Sequence, residues 1–321
     1  VANSEAAASG KTFLRRWGGP ALAAAFLVGA SVFLLRQRGE LLAAIEIHAA
    51  FLLPLALAEG VMLVARGLLT RELCRAFDVR LRVLEAVSLA SWTTLANYVA
   101  PLVGGAGMRA VYLKRRHGLL YSHFLSLHAG TYAVHFWIGG LFGLAALALL
   151  PAVPAAARSL LALLFVGAFG ACSLLMFAPG WIRKLGIRFG KRVERVLEGA
   201  ERLSAQRRWV ILSLLVVNLL AMGAALFCAF ELLGVALGPV EALLLATVTS
   251  YSVLLSITPA SFGITEGVIV FAAGLVGVAA PVALAAAGVK RLASLAVTAL
   301  AAGVTAATGT HMAAENPEEP A

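Results

Sequence analysis

The sequence predicts an all-α polytopic membrane protein. It has six full spans plus two re-entrant broken-helix hairpins, or eight or more transmembrane helices if the hairpin arms are counted. Composition is the first sign: 61% of the 321 residues are hydrophobic and 13% are charged, where a soluble globule has roughly 45–50% and about 25%. The second is that long apolar runs return along the whole chain. At least six of them reach the roughly 20 residues needed to cross about 30 Å of hydrocarbon. The third is that these runs are continuous and rich in Ala and Leu. They lack the alternation of a membrane β-barrel, which leaves the helix as the way to satisfy the backbone in lipid.

The formal net charge is +10. The basic residues fall between the apolar runs, as the positive-inside bias requires, and they suit anionic headgroups. No nucleic-acid partner is implied. Cys74, Cys172 and Cys228 are far apart and have no metal-ligand or disulfide spacing, so free thiols are expected. Three units follow: an N-terminal cytoplasmic segment over 1–19, a single transmembrane domain over 20–308 and a disordered tail over 309–321. Lys11, Arg15 and Arg16 followed by Ala21–Leu35 imitate a signal peptide. No small-x-small cleavage site follows, so the first span, Pro20–Leu35, is expected to be retained.

Span two is Leu41–Val64, interrupted by His48, Pro54 and Glu59. Arg66, Arg71, Arg75, Arg80 and Arg82 then mark a cytoplasmic loop. Val83–Ala100 has the length of a span but carries Glu85, Ser88, Ser91, Thr93, Thr94 and Asn97. Pro101 ends it, and Gly104, Gly105, Gly107 and Arg109 come next. A full crossing would strand Lys114, Arg115 and Arg116 outside. A hairpin broken at Pro101, which removes a donor and clashes with the preceding turn, keeps them inside. Spans follow at His123–Leu150 and Ser159–Ala178. A basic connector over 181–208 then places apolar residues at spacings of three and four. This pattern fits an interfacial helix and fits a connector packed on the bundle equally well.

Trp209–Leu233 is the next span. The second hairpin is Glu241–Ile257, a break at Pro259, then Gly267–Val276. Pro281–Val304 is the last span. Ala96–Gly105 and Leu254–Gly263 echo each other weakly, each with a charge seven or eight residues past its proline. The two hairpins enter from opposite sides, so the echo suggests an inverted repeat. Matching broken helices mark the substrate site of many transporters. Both termini are placed in the cytoplasm, in a multi-pass protein of the plasma (inner) membrane.

Candidate substrate-binding residues gather at the two breaks: Asn97, Pro101, Gly104, Gly105, Gly107 and Arg109 at the first, and Ser256, Thr258, Pro259, Ser261, Gly263, Thr265 and Glu266 at the second. Unpaired amides at a helix start attract an anion, and an Arg guanidinium can grip phosphate with two bonds. Alternatively, Arg109 belongs to the interfacial cluster and snorkels. Glu266 is expensive in the membrane unless paired or wet; its expected partner is Arg291, Lys290 or Arg109, and it is also a proton-coupling candidate. Lys290 and Arg291 are adjacent, so one is expected to point inward and the other to the interface or a neighbouring helix. Glu59 could line the cavity or snorkel. His128 and His135 share a face and are read as packing or accessory groups. No metal site, cofactor, nucleotide loop or catalytic triad is found.

Two stretches carry a family resemblance. One is Asn97-Tyr98-Val99-Ala100-Pro101 through Arg109-Ala110-Val111-Tyr112-Leu113. The other is Pro259-Ala260-Ser261-Phe262-Gly263-Ile264-Thr265-Glu266, with Gly277-Val278 and Arg291 downstream. Together they resemble the transmembrane region of the lysylphosphatidylglycerol synthase and flippase family, which includes uncharacterised membrane proteins and members linked to hopanoid transport. The resemblance implies a flippase that moves a polar-headed lipid, anionic or zwitterionic, between leaflets. It assigns Arg291 to the cavity along with Pro101, Gly105, Arg109, Pro259, Gly263 and Glu266. Ala106 stands where the family often has Glu, and Thr265 where it often has Arg, so the headgroup is expected to differ from an aminoacylated one. No cytoplasmic segment exceeds about thirty residues, so lipid aminoacylation is not expected. Membrane lipids are the expected partners, and the oligomeric state is open, a homodimer included. The alternatives are an intramembrane lipid-modifying transferase with Glu266 or Glu59 as base, and a lipid-binding protein that does not transport.

Overall fold

The computed structural model describes residues 28–29, 32–33, 35–39, 46–99, 104–177, 205–255 and 261–308. The segments 1–19 and 309–321 lie outside the described residues, as do most of the span Pro20–Leu35 and of the connector 181–208. So do Pro101, Ser256, Thr258 and Pro259. All described regular structure is helical.

Among the described residues nine α-helices carry the fold: α1 Leu52–Arg75, α2 Val83–Val99, α3 Gly104–His117, α4 Tyr121–Leu149, α5 Ala155–Phe177, α6 Ala205–Leu232, α7 Pro239–Ser250, α8 Ile264–Gly274 and α9 Ala280–Ala307. A 3-10 turn precedes α1, and another, Tyr251–Leu255, extends α7. Among the described residues five helices, α1, α4, α5, α6 and α9, are long and apolar enough to cross a bilayer. α7 with its 3-10 extension, and α8, are apolar but shorter.

Several boundaries differ from the sequence expectation of spans, beginning with that of Leu41–Val64: residues 46–48 are not helical, and a 3-10 turn over Ala49–Phe51 leads into α1. α1 does not stop at Val64 but runs on to Arg75, so Arg66, Arg71 and Arg75 are helical rather than in a loop. Their charges allow this because each finds a partner: Arg66 Nε donates to Asn218 Oδ1 at 3.3 Å, Arg71 Nε to the Leu81 carbonyl, and Arg75 to Glu72 at 2.7 Å. α6 starts at Ala205, so the last residues of the expected connector already belong to a span. α8 starts at Ile264 rather than Gly267. Glu266, at the third position, accepts the Gly263 N–H at 2.8 Å, which caps the helix three residues earlier than expected.

α1 packs along α6, α6 against α7, α7 against α4, and α4 against α5. α4 and α5 approach closely because Gly140 has no Cβ. One placed there would lie 2.8 Å from the Phe165 carbonyl oxygen, and small residues at such crossings let membrane helices come together. α9 closes the bundle against α1, α2, α6 and α8. Phe165, Phe230, Leu226, Leu244 and Leu245 are fully buried, whereas Leu53, Leu57, Leu160, Leu163, Leu292 and Leu300 point outward. An apolar exterior is what acyl chains require.

Candidate functional site

A cavity of about 570 Å³ opens between α1, α2, α3, α4, α6, α7 with its 3-10 extension, α8 and α9. Its position follows from the two interruptions. α2 ends at Val99 and α3 begins at Gly104; the 3-10 turn after α7 ends at Leu255 and α8 begins at Ile264. The broken ends meet. Tyr98 from the end of α2 lies edge-on to Phe262, just before α8, with ring centroids 5.9 Å apart. The Arg291 guanidinium of α9 sits over both rings, 4.1 Å from the Phe262 centroid and 5.8 Å from that of Tyr98.

At the first break α2 and α3 run antiparallel. Gly105 N–H donates to Asn97 Oδ1 at 2.9 Å. A Cβ on Gly105 would meet Asn97 Oδ1 and the Thr93 carbonyl oxygen at 2.4 Å, so only glycine fits. At the far end of the pair, Glu85 accepts the Tyr112 hydroxyl at 2.6 Å and contacts His117 Nε2 at 2.7 Å. Burial alone would raise the Glu85 carboxyl. The bonds from Tyr112 and His117 and the His117 charge outweigh burial and hold it below the usual carboxylate value. Of the other hydroxyls of α2, Ser91, Thr93 and Thr94 donate to carbonyls one turn back, whereas Ser88 Oγ is buried without a hydrogen-bond partner.

At the second break the backbone turns through left-handed conformations at Ser261 (φ 54°) and Gly263 (φ 81°). The Glu266 carboxylate is engaged at both oxygens, by the Gly263 N–H and by Arg291. Of the partners expected for Glu266, the structure selects Arg291. Lys290 does not turn to the interface. It lines the cavity and reaches Glu59 of α1 at 2.9 Å. Adjacent residues on a helix differ by about 100°. α9 packs between α1 and α8, so both directions lead to protein. Glu59 is 3% exposed and does not snorkel.

Of the residues singled out in the sequence, Asn97, Arg109, His128, His135, Ser261, Thr265, Glu266, Lys290 and Arg291 line the cavity. Gly104, Gly105, Gly107, Gly263 and Glu59 are not on its wall. The amides expected to bind an anion are partly used: Gly105 N–H by Asn97 and Gly263 N–H by Glu266. Arg109 behaves differently. Its Nε is buried without a hydrogen-bond partner, and no carboxylate among the described residues pairs with it. Tyr132 and His128 line the same cavity; His128 is packed between Phe124 and Tyr132.

Arg66 and Asn218 also line the cavity, and the sequence did not single them out. Arg66 heads a basic run whose composition reads as a loop. At 1.5 Å per residue it lies about 13 Å inside the end of α1. Asn218 gave the available signal, since it is an isolated amide in the middle of an otherwise apolar span.

Helices of this length and polarity around a charged internal cavity define a multi-pass membrane protein with a polar site inside the bundle. Residues 18–302 match the family described as the lysylphosphatidylglycerol synthase TM region, and the chain belongs to that family. No curated protein matches the chain.

Proposed function

We propose that the protein is a lipid flippase. The polar head of a membrane lipid enters the cavity while its acyl chains stay in the bilayer, and the head passes between leaflets as the two interrupted helix pairs exchange exposure. On this reading α2–α3 and α7–α8 are re-entrant hairpins related as an inverted repeat, in the plasma membrane with both termini cytoplasmic. The basic residues at the ends of α1 and α3 and at the start of α6 support that orientation. Membership in a membrane-lipid family supports the substrate class.

The observation that carries the reading is Arg109. An unpaired cation inside a membrane bundle is expensive, and an anionic head entering the cavity would offset that penalty. Glu266 would act chiefly by holding Arg291. With both oxygens engaged, it could take part in proton coupling only after that pair opens.

The test is reconstitution into liposomes with fluorescent phospholipids, scored for leaflet exchange. The wild-type protein is expected to accelerate exchange and Arg109→Ala to lose it. Chemically altered lipid after incubation would favour a transferase instead. Lipid that copurifies without exchange would favour a binding protein.

A further inference from the structure

Charge bookkeeping in the cavity narrows the substrate class. Four cations, Arg66, Arg109, Lys290 and Arg291, line it. Two carboxylates answer them: Glu59 beneath Lys290 and Glu266 against Arg291. Among the described residues Arg66 and Arg109 have no acidic partner, so two positive charges are uncompensated. The undescribed residues at the breaks, 100–103 and 256–260, contain no ionisable side chain.

Both guanidinium groups belong to residues that line the same cavity. Arg66 spends Nε on Asn218, which fixes the plane of its fork and leaves its terminal amino groups for a ligand. Tyr132 and His128 line the same cavity as Arg109. Two forks without carboxylates suit the oxygens of a phosphate.

We infer that the cavity selects a lipid whose head is a phosphomonoester rather than a phosphodiester or an aminoacylated head. This rests on the flippase reading and deepens it. A phosphodiester carries one negative charge. A phosphomonoester loses a second proton near pH 6, so at neutral pH it approaches two charges and matches both cations. A zwitterionic or cationic head would add positive charge where the wall already has a surplus. The same chemistry would admit free phosphate, so the source has to be tested.

The full chain is reconstituted, and exchange is compared for labelled phosphatidic acid and labelled phosphatidylmethanol. These lipids differ by one methyl ester and one charge. The inference expects phosphatidic acid to be favoured by about tenfold, equivalent to about 1.4 kcal/mol. Arg66→Gln should erase the preference and Arg66→Lys should restore part of it. Equal exchange of both lipids, unchanged in Arg66→Gln, would overturn the inference and leave the flippase reading standing. Saturable, Arg66-dependent binding of phosphatidic acid without exchange of any lipid would support the site and overturn transport. Inorganic phosphate that binds as tightly as phosphatidic acid and displaces it would overturn a lipid as the source. Loss of protein from the monodisperse peak in Arg66→Gln is controlled by Arg66→Lys, which keeps the charge.

Discussion

The two interruptions are built from the same parts and resolve their charges in opposite ways. At each, a side chain takes the N–H of a residue at the start of the following helix: Asn97 for Gly105, Glu266 for Gly263. Each also presents a charged side chain on the cavity wall. At the second break that charge is neutralised internally, with Glu266 held by Arg291 and Arg291 stacked on Phe262. At the first, Arg109 has no acid opposite it among the described residues. One break is therefore a closed electrostatic unit that ties α8 to α9. The other holds an open charge, which is what a binding site needs and what a structural joint avoids.

The largest expected effect comes from opening the closed side. Glu266→Ala leaves Arg291 buried without its acid and should destabilise by about 3–5 kcal/mol, read as the unfolding midpoint in denaturing detergent. Glu266→Gln combined with Arg291→Gln should recover much of this. A double variant as unstable as the single would mean that the pair does not hold the break. The opposite behaviour is expected at the open side. Arg109→Gln should lower lipid exchange by the loss of a charged hydrogen bond, about 1.5–3 kcal/mol, while leaving the unfolding midpoint unchanged or higher. A large stability loss there would erase the contrast between the two breaks.

Gly105→Ala sharpens the comparison from the packing side. Its Cβ would press on Asn97 and Thr93, so α2 and α3 must part, at about 1–3 kcal/mol for overpacking. Gly267, with open space around its Cβ position, should accept Ala without loss of thermal stability. The smallest effect is expected at the outer end of the first pair. Glu85→Gln weakens the contacts from Tyr112 and His117 and should lower stability by about 1 kcal/mol. Because the Glu85 carboxyl is held below its usual value, its contribution is complete above the ordinary carboxylate range and fades as pH falls through the lowered value. Melting scans from pH 7 down to about pH 3 should show wild type and Glu85→Gln converging at the acidic end. Curves that stay parallel would show that the carboxylate form does not matter.

Much of this was legible in the chain. The helical membrane class follows from composition and run length, because a bilayer admits few ways to satisfy a backbone. The interruption after Asn97 could be read from a proline followed by three glycines, and the partner of Glu266 was among those expected. The role of Arg66 could not be read, because a basic residue at the end of an apolar run looks the same whether it starts a loop or continues a helix. Only the amide of Asn218, 152 positions away, distinguishes the two. Lys290 shows the same limit: adjacency on α9 told its direction apart from that of Arg291 but not what lay in that direction.

The sequence alone determined that this protein lives in a bilayer, where its helices break and which charges sit beside the breaks, since these are properties of local chain chemistry. Tertiary structure decided which charges cancel. Pairing depends on distances between helices far apart in the chain, and only the packed bundle sets Glu59 against Lys290, Glu266 against Arg291 and, among the described residues, nothing acidic against Arg66 and Arg109.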